Sequence, residues 1–320
     1  MRAQRRHGSR PARCLLVGLA ASALLVASCS SSDGDGDEGS DTTASERSST
    51  TSTTTTEPVI TVPVDQTAPG GANGIKVAGD GSLWIASLDS DVVLRVDPDS
   101  GQILQRVATP VGSGPDDLVI APDGSVHWTG WLSGAVGSIA PGGDTTEVIA
   151  NVGAGANPIA LRGDGVLVVG RAGGATGLYT VDPTGDSTPV PLSDPGNLNS
   201  FDITPDGRFF APGLNTSTVI ELDPDTGEVL RTVASVEGSP IALRWHDGSI
   251  YVLVLSDAAR VFRVDPAAGT TELFGATGHT AGDNLAVAED GTVYVTGLAE
   301  PIVTVLDPDG AVVRTVQLGG

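Results

Sequence analysis

Apolar and polar positions along the chain alternate in short bursts that never settle into a helical period. The clearest burst is "IAPDGSVHWTG" (120–130), where a short apolar run leads into Asp-Gly and a second, aromatic-bearing run leads out. A two-residue hairpin turn needs φ > 0 at its centre, and Asp-Gly supplies it, so the stretch predicts two antiparallel strands. Almost the same text recurs as "VAGDGSLWIAS" (77–87), "LRGDGVLVVG" (161–170), "ITPDGRFFAP" (203–212), "LRWHDGSIYVLV" (243–254) and "VAEDGTVYVTG" (287–297). In the first copy the pattern predicts strands at 74–79, 82–87, 92–97 and 102–108, separated by Gly, Pro and Asp breakers.

The turn aspartates Asp80, Asp123, Asp164, Asp206, Asp247 and Asp290 lie 43, 41, 42, 41 and 43 residues apart. A second turn keeps the same beat at Asp97-Pro98, Ala140-Pro141, Asp182-Pro183, Asp223-Pro224, Asp265-Pro266 and Asp307-Pro308. Six four-stranded modules at this period predict an all-β fold, a six-bladed β-propeller of four-stranded antiparallel blades. Four residues after each turn Asp stand Trp84, His127, Val168, Phe210, Tyr251 and Tyr294, expected to fill the space between neighbouring blades. One strand-like stretch, "PVITVPV" (58–64), is left over. Either it or the C-terminal "AVVRTVQL" (311–318) can close the ring against the other terminus.

The N-terminal composition is different. Residues 1–28 hold five arginines and no acid, with an apolar run from Cys14 to Ala27. That run is shorter than the roughly 20 residues a membrane-spanning helix needs, so it predicts a signal peptide. Val26, Ala27 and Ser28 before Cys29 resemble a bacterial lipobox, which implies lipidation of Cys29, palmitate among the acyl chains, and an extracytoplasmic, cell-membrane-anchored lipoprotein. Residues 29–57 predict a disordered tether: from Ser30 on they carry sixteen Ser or Thr, seven acids and one apolar residue, Ala44, too little apolar surface to offset the entropy of ordering. As a flexible coil the tether spans about 30 Å. The propeller is then expected over 58–320.

Both cysteines, Cys14 and Cys29, precede residue 30, so the propeller has no thiol for a disulfide or a cysteine-held zinc. The net charge of −22 disfavours nucleic acid as a partner. Much of that charge belongs to the turn aspartates, which cap their own turns. "GAGANP" (153–158) and "RAGGATG" (171–177) have the look of phosphate loops, but strand patterns follow them, and a phosphate loop needs a helix N-terminus.

In a propeller the innermost strand of each blade starts at one mouth of a central channel. Seven residues before each turn Asp are Asn73, Asp116, Asn157, Asn199 and Asp283, with Ser239 in the fifth module, where Trp245-His246 adds a residue. Such a ring of oxygen-bearing side chains can hold a hard cation, since calcium takes 6–8 oxygens. It can equally serve to cap the strand ends. His279, four residues before Asp283, is a candidate general base. Trp131 and Arg171, in loops reaching the same face with Asn215, Asp257 and Glu300, are candidates for a ligand-recognition wall.

The modules, with "ANGIKVAGDGSLWIA" and "GPDDLVIAPDGSVHW", resemble the six-bladed gluconolactonase and senescence-marker-protein group over roughly residues 70–310. They also resemble NHL-type repeats and, more distantly, the streptogramin-lyase propellers. The first resemblance implies a divalent metal held by a first-blade Glu, an Asn and an Asp. Asn157 or Asn199 matches the Asn by position, and Asp116 or Asp283 the Asp. The Glu has no counterpart in the first blade, where Asn73 stands, and Glu300, in a loop reaching the same face, is the candidate to replace it. Two functions follow. One is a lipid-anchored propeller that binds a partner protein or small ligand at its channel mouth. The other is a hydrolase or lyase for lactone-like molecules that depends on calcium or another divalent cation.

Overall fold

The computed structural model describes residues 63–173, 176–183, 189–193 and 197–319. The leader, Cys29, the tether and all but two residues of the 58–64 stretch lie outside them. Pro63 and Val64 form no strand.

Six four-stranded antiparallel sheets follow one another as β1–β4, β5–β8, β9–β12, β13–β16, β17–β20 and β21–β24, each in simple up-and-down order. The first sheet comprises β1 (Ile75–Val77), β2 (Leu83–Ser87), β3 (Val92–Val96) and β4 (Ile103–Ala108), within two residues of the expected bounds. The inner strands of the other sheets are β5 (Pro115–Ile120), β9 (Ala156–Leu161), β13 (Asp202–Ile203), β17 (Ser239–His246) and β21 (Gly282–Val287). Helix is confined, among the described residues, to one 3-10 turn at Leu88–Ser90.

The sheets stack as blades because each apolar cluster joins two successive ones. Trp84, Ala86 and Val93 pack on Leu118 and Trp128 of the second blade, and Ala160 and Val168 on Phe201 and Phe209 of the fourth. Phe210 packs on the fifth blade and Tyr251 on the sixth. The ring closes by the same face packing: Tyr294, Val303 and Val305 of the sixth blade meet Ile75, Ile85 and Leu94 of the first. Among the described residues no strand is exchanged between the first and last blades. β24 (Val312–Gln317) stays in its own blade, and Arg314 reaches Asp99 of the first at 2.7 Å. Burying faces in this way stabilises the ring by about 25 cal/mol per Å² of apolar surface removed from water. The aromatics predicted as blade fillers are therefore core residues, and His127 is buried with them.

The Asp-Gly turns depart from expectation in one respect. Only the fifth blade uses the two-residue turn, with Asp247 at φ 41° and Gly248 at φ 81° between paired His246 and Ser249. In the first blade Ala78 N donates to Ser82 O, and the glycine alone is left-handed, Gly81 at φ 85°. That is a three-residue loop, so the fifth blade's turn is one residue shorter and its Asp stands first in the loop where Asp80 stands second. The second family of turns behaves as read: Asp97 Oδ1 accepts from the Asp99 and Ser100 amides, and Asp223 from those of Asp225 and Thr226. Those hydrogen bonds, from Ser100 and Thr226 foremost, hold both carboxyls below their ordinary range.

Candidate functional site

Five of the six predicted mouth residues meet around the channel. Where β5 and β21 begin, two residues oppose one on the neighbouring strand, a bulge that swings Asp116–Asp117 and Asp283–Asn284 toward the axis. Thr129 and Thr296 brace these bulges, Thr296 Oγ1 taking the Asn284 amide at 3.0 Å. Neighbouring blades are then linked hand to hand. Asp283 bonds the side chain of Asn73, Gly74 N donates to Asp116 O at 2.6 Å, and Thr129 Oγ1 donates to Asn157 O. Asn157 Nδ2 donates to Asn199 Oδ1 at 3.0 Å, and Asn199 Nδ2 to Ile241 O at 3.1 Å.

Ser239 is not the sixth member. The pairing of Leu243 with Val252 matches that of Leu118 with Trp128 and Leu285 with Val295, which sets Ile241 level with Asp116 and Asp283. The shorter turn brings Asp247 one residue nearer the ring, and the expected added residue moved the count one further the wrong way.

The mouth is acidic and strained in charge. Burial pushes the Asp116 carboxyl well up, and the charges of Asp283 and Asp117 push it further. Asp283 is pushed up to about 7 by burial and by Asp117, against the Asn73 hydrogen bond that favours its anion. Two carboxylates this close in a poorly solvated site cannot both ionise cheaply. As a calcium site the ring is short of oxygens, because Asn73 Oδ1 accepts from Leu88 N and Asn199 Oδ1 accepts from Asn157. Among the described residues no three His, Cys, Asp or Glu side chains are grouped as a metal would require.

Beneath the mouth lies a charged level that sequence reasoning missed. Arg244, on β17 and 4 % exposed, spans the hub. Its Nη2 donates to Asp117 Oδ1 of the second blade at 3.3 Å and to Asn284 Oδ1 of the sixth at 2.9 Å. Its Nη1 donates to Ser200 Oγ of the fourth at 3.1 Å and to Leu243 O. Asp117, fully buried, also takes the Leu118 amide and Asn284 Nδ2. One guanidinium therefore ties four blades together and seals the channel at that depth. The signal was present: Lys76, Asp202 and Arg244 occupy the inner-strand position where the other blades carry Val119, Ala160 and Ala286.

Trp131 and Arg171 converge on one loop between the second and third blades. Gly155 N donates to Trp131 O at 2.7 Å, while Arg171 Nε and Nη2 donate to Ala154 O and its Nη1 faces the Tyr179 hydroxyl. The guanidinium is thus engaged with protein groups. His279, half-buried, lines a crevice of about 10 Å³ with Gly282 and Thr296. Asp257 pairs with Arg260 at 2.7 Å, and Glu300 and Asn215 are exposed. Around the mouth, loops leave Val111, Leu132 and Leu298 at 99 %, 53 % and 43 % exposure.

No family model matches the sequence, and no curated protein matches it. Solved structures do resemble the fold. A catalytically inactive virginiamycin B lyase from Staphylococcus aureus, solved with quinupristin, aligns with TM-score 0.59 at 14 % identity over 80 % of this chain and 86 % of its own. A nidogen/laminin complex gives 0.62 at 15 % identity over 74 % and 93 %, and the Kuenenia stuttgartiensis hydrazine synthase 0.58 at 18 % over 82 % and 91 %. At such identities the likeness establishes the six-bladed β-propeller and nothing finer.

Proposed function

We propose that the chain is a lipid-anchored, extracytoplasmic binding module whose propeller takes a partner protein at the channel mouth. The observation that carries this reading is the pairing of Asp116 with Asp283, no basic side chain beside either among the described residues, inside a rim that exposes Val111, Leu132 and Leu298. A partner that inserts a lysine or arginine neutralises the two acids while its apolar neighbours cover the rim. Interfaces commonly combine a desolvated charged anchor with surrounding apolar contact. The fold serves both kinds of role among its structural neighbours, one of which is a two-protein complex and another a lyase. The hydrolase reading is weaker because the mouth lacks the first-blade Glu and spends its amides on one another.

Selection of a displayed random-peptide library on the full-length chain tests the mouth. Enriched peptides are expected to carry Lys or Arg flanked by apolar residues, and enrichment should fall at least tenfold on the D116N/D283N double variant. Enrichment without basic residues, or unaffected by those changes, overturns the site. The anchor is tested separately: radioactive palmitate should label the wild-type chain and leave Cys29→Ser unlabelled.

A further inference from the structure

The chain contains a single lysine, Lys76, and the fold places it in the hub. Lys76 pairs with Trp84, just as Asp202 pairs with Phe210, Arg244 with Tyr251 and Ala286 with Tyr294. Val119 and Ala160 complete the level by pairing with His127 and Val168. Paired residues share a sheet face, so these six side chains ring the axis at one depth. Arg244 sends its guanidinium up to Asp117, Ser200 and Asn284. Asp202 spends its carboxylate on the Trp245 and Ile203 amides, at 2.9 and 3.1 Å. Among the described residues the Lys76 amine has no ion pair within 4 Å and no hydrogen bond. Ala160 and Ala286, at the same level, are buried in the packing between blades. Unlike the sealed Arg244, Lys76 is only half-buried, and the fully buried Asp117 lies between it and the mouth. Its solvent route therefore opens on the face that carries the Asp-Gly turns.

Burial, and then the like charge of Arg244, push the amine down to about 8, while Asp202 and Asp117 limit the fall. An ordinary lysine titrates near ~10.4, so at mild pH its neutral fraction is roughly a hundredfold smaller. An unpaired, half-buried amine with a substantial neutral fraction near pH 8 is a nucleophile of the kind that forms Schiff bases.

We propose that Lys76 is a covalent capture site for a small aldehyde or ketone, reached from the turn face of the channel. The nitrogen lone pair attacks the carbonyl carbon, forming the C–N bond as the C=O π pair moves to oxygen. The nitrogen gives a proton to water and the oxygen takes one, yielding a carbinolamine. Its hydroxyl takes a proton from solvent and leaves as water as the nitrogen lone pair forms the C=N bond, giving a protonated imine. No oxidant or reductant is consumed, and the imine's positive charge replaces that of the ammonium opposite Asp202. This site is independent of the protein-binding mouth.

With one ε-amine in the whole chain the test is clean. The full-length protein is treated with acetaldehyde and sodium cyanoborohydride, natively and in urea, and the Lys76 peptide is followed by mass spectrometry. At pH about 8 native labelling is expected to exceed that of the unfolded chain by on the order of tenfold or more. Its rate should fall roughly tenfold per pH unit below about 7, where the neutral fraction falls in proportion. K76R abolishes the adduct, and D202N moves the midpoint of the native pH profile downward by removing a charge that favours the ammonium. Native labelling no faster than in urea overturns the proposal. So does a midpoint unmoved by D202N in a variant whose circular dichroism matches wild type.

Discussion

The hub has two storeys built on opposite principles. At the mouth, five blades contribute the same kind of residue at the same place: Asn73, Asp116, Asn157, Asn199 and Asp283. One level down, the blades differ, with Lys76, Asp202 and Arg244 standing where Val119, Ala160 and Ala286 stand elsewhere. The upper storey follows the repeat and is joined neighbour to neighbour by short hydrogen bonds. The lower storey breaks the repeat and is joined across the axis, by a guanidinium that reaches three other blades. A repeated residue can serve the wheel as a wheel. A residue present once marks a particular place on it, and both the sealing of the channel and the lone amine belong to that second class.

The largest expected effect comes from breaking the cross-axis tie. Arg244→Met leaves the buried Asp117 carboxylate without its cation, and removing one partner of such a pair costs about 3–5 kcal/mol. Urea denaturation measures it, and adding D117N should recover at least half, since the stranded charge is then gone. Equal stability of R244M and wild type would mean that the lower storey does not hold the hub together.

The upper storey should speak through pH instead. Asp283 titrates near 7 in the folded chain and near ~3.9 unfolded, so the folded state binds the proton more tightly. Its contribution is fully present below the unfolded value and is lost as pH rises through about 7. Asp116, raised by the same causes, adds in the same direction. Thermal stability is therefore expected to climb as pH falls from about 8 to about 5, and D283N should flatten that slope. The turn aspartates held below their ordinary range act oppositely, but only in more acid solution, where their hydrogen-bonded anions are lost. A wild-type curve already flat over this window would remove the charge strain from the mouth.

The smallest expected effect is that of calcium. With the asparagine amides engaged, titration of the full-length chain should give no saturable heat below about millimolar calcium, the range of weak extracellular sites. Micromolar binding abolished by D116N would restore the metal-dependent reading.

Much of this was legible in the residues. Local chemistry with a short range sets the blades: Asp-Gly needs a left-handed glycine, proline ends a strand, and period-two apolar runs must bury one face. Repetition of those local rules six times determined the propeller, its four-strand blades and the five polar residues at its mouth. Only the tertiary structure decided which side chains meet across the axis, because Arg244 and Asp117 are 127 residues apart and share no motif. The fold likewise decided that Ile241 stands in the ring in place of Ser239, since register follows from strand pairing and cannot be counted from a turn whose length varies. And it alone left Lys76 without a partner, a property that belongs to the space around an amine and to no stretch of sequence.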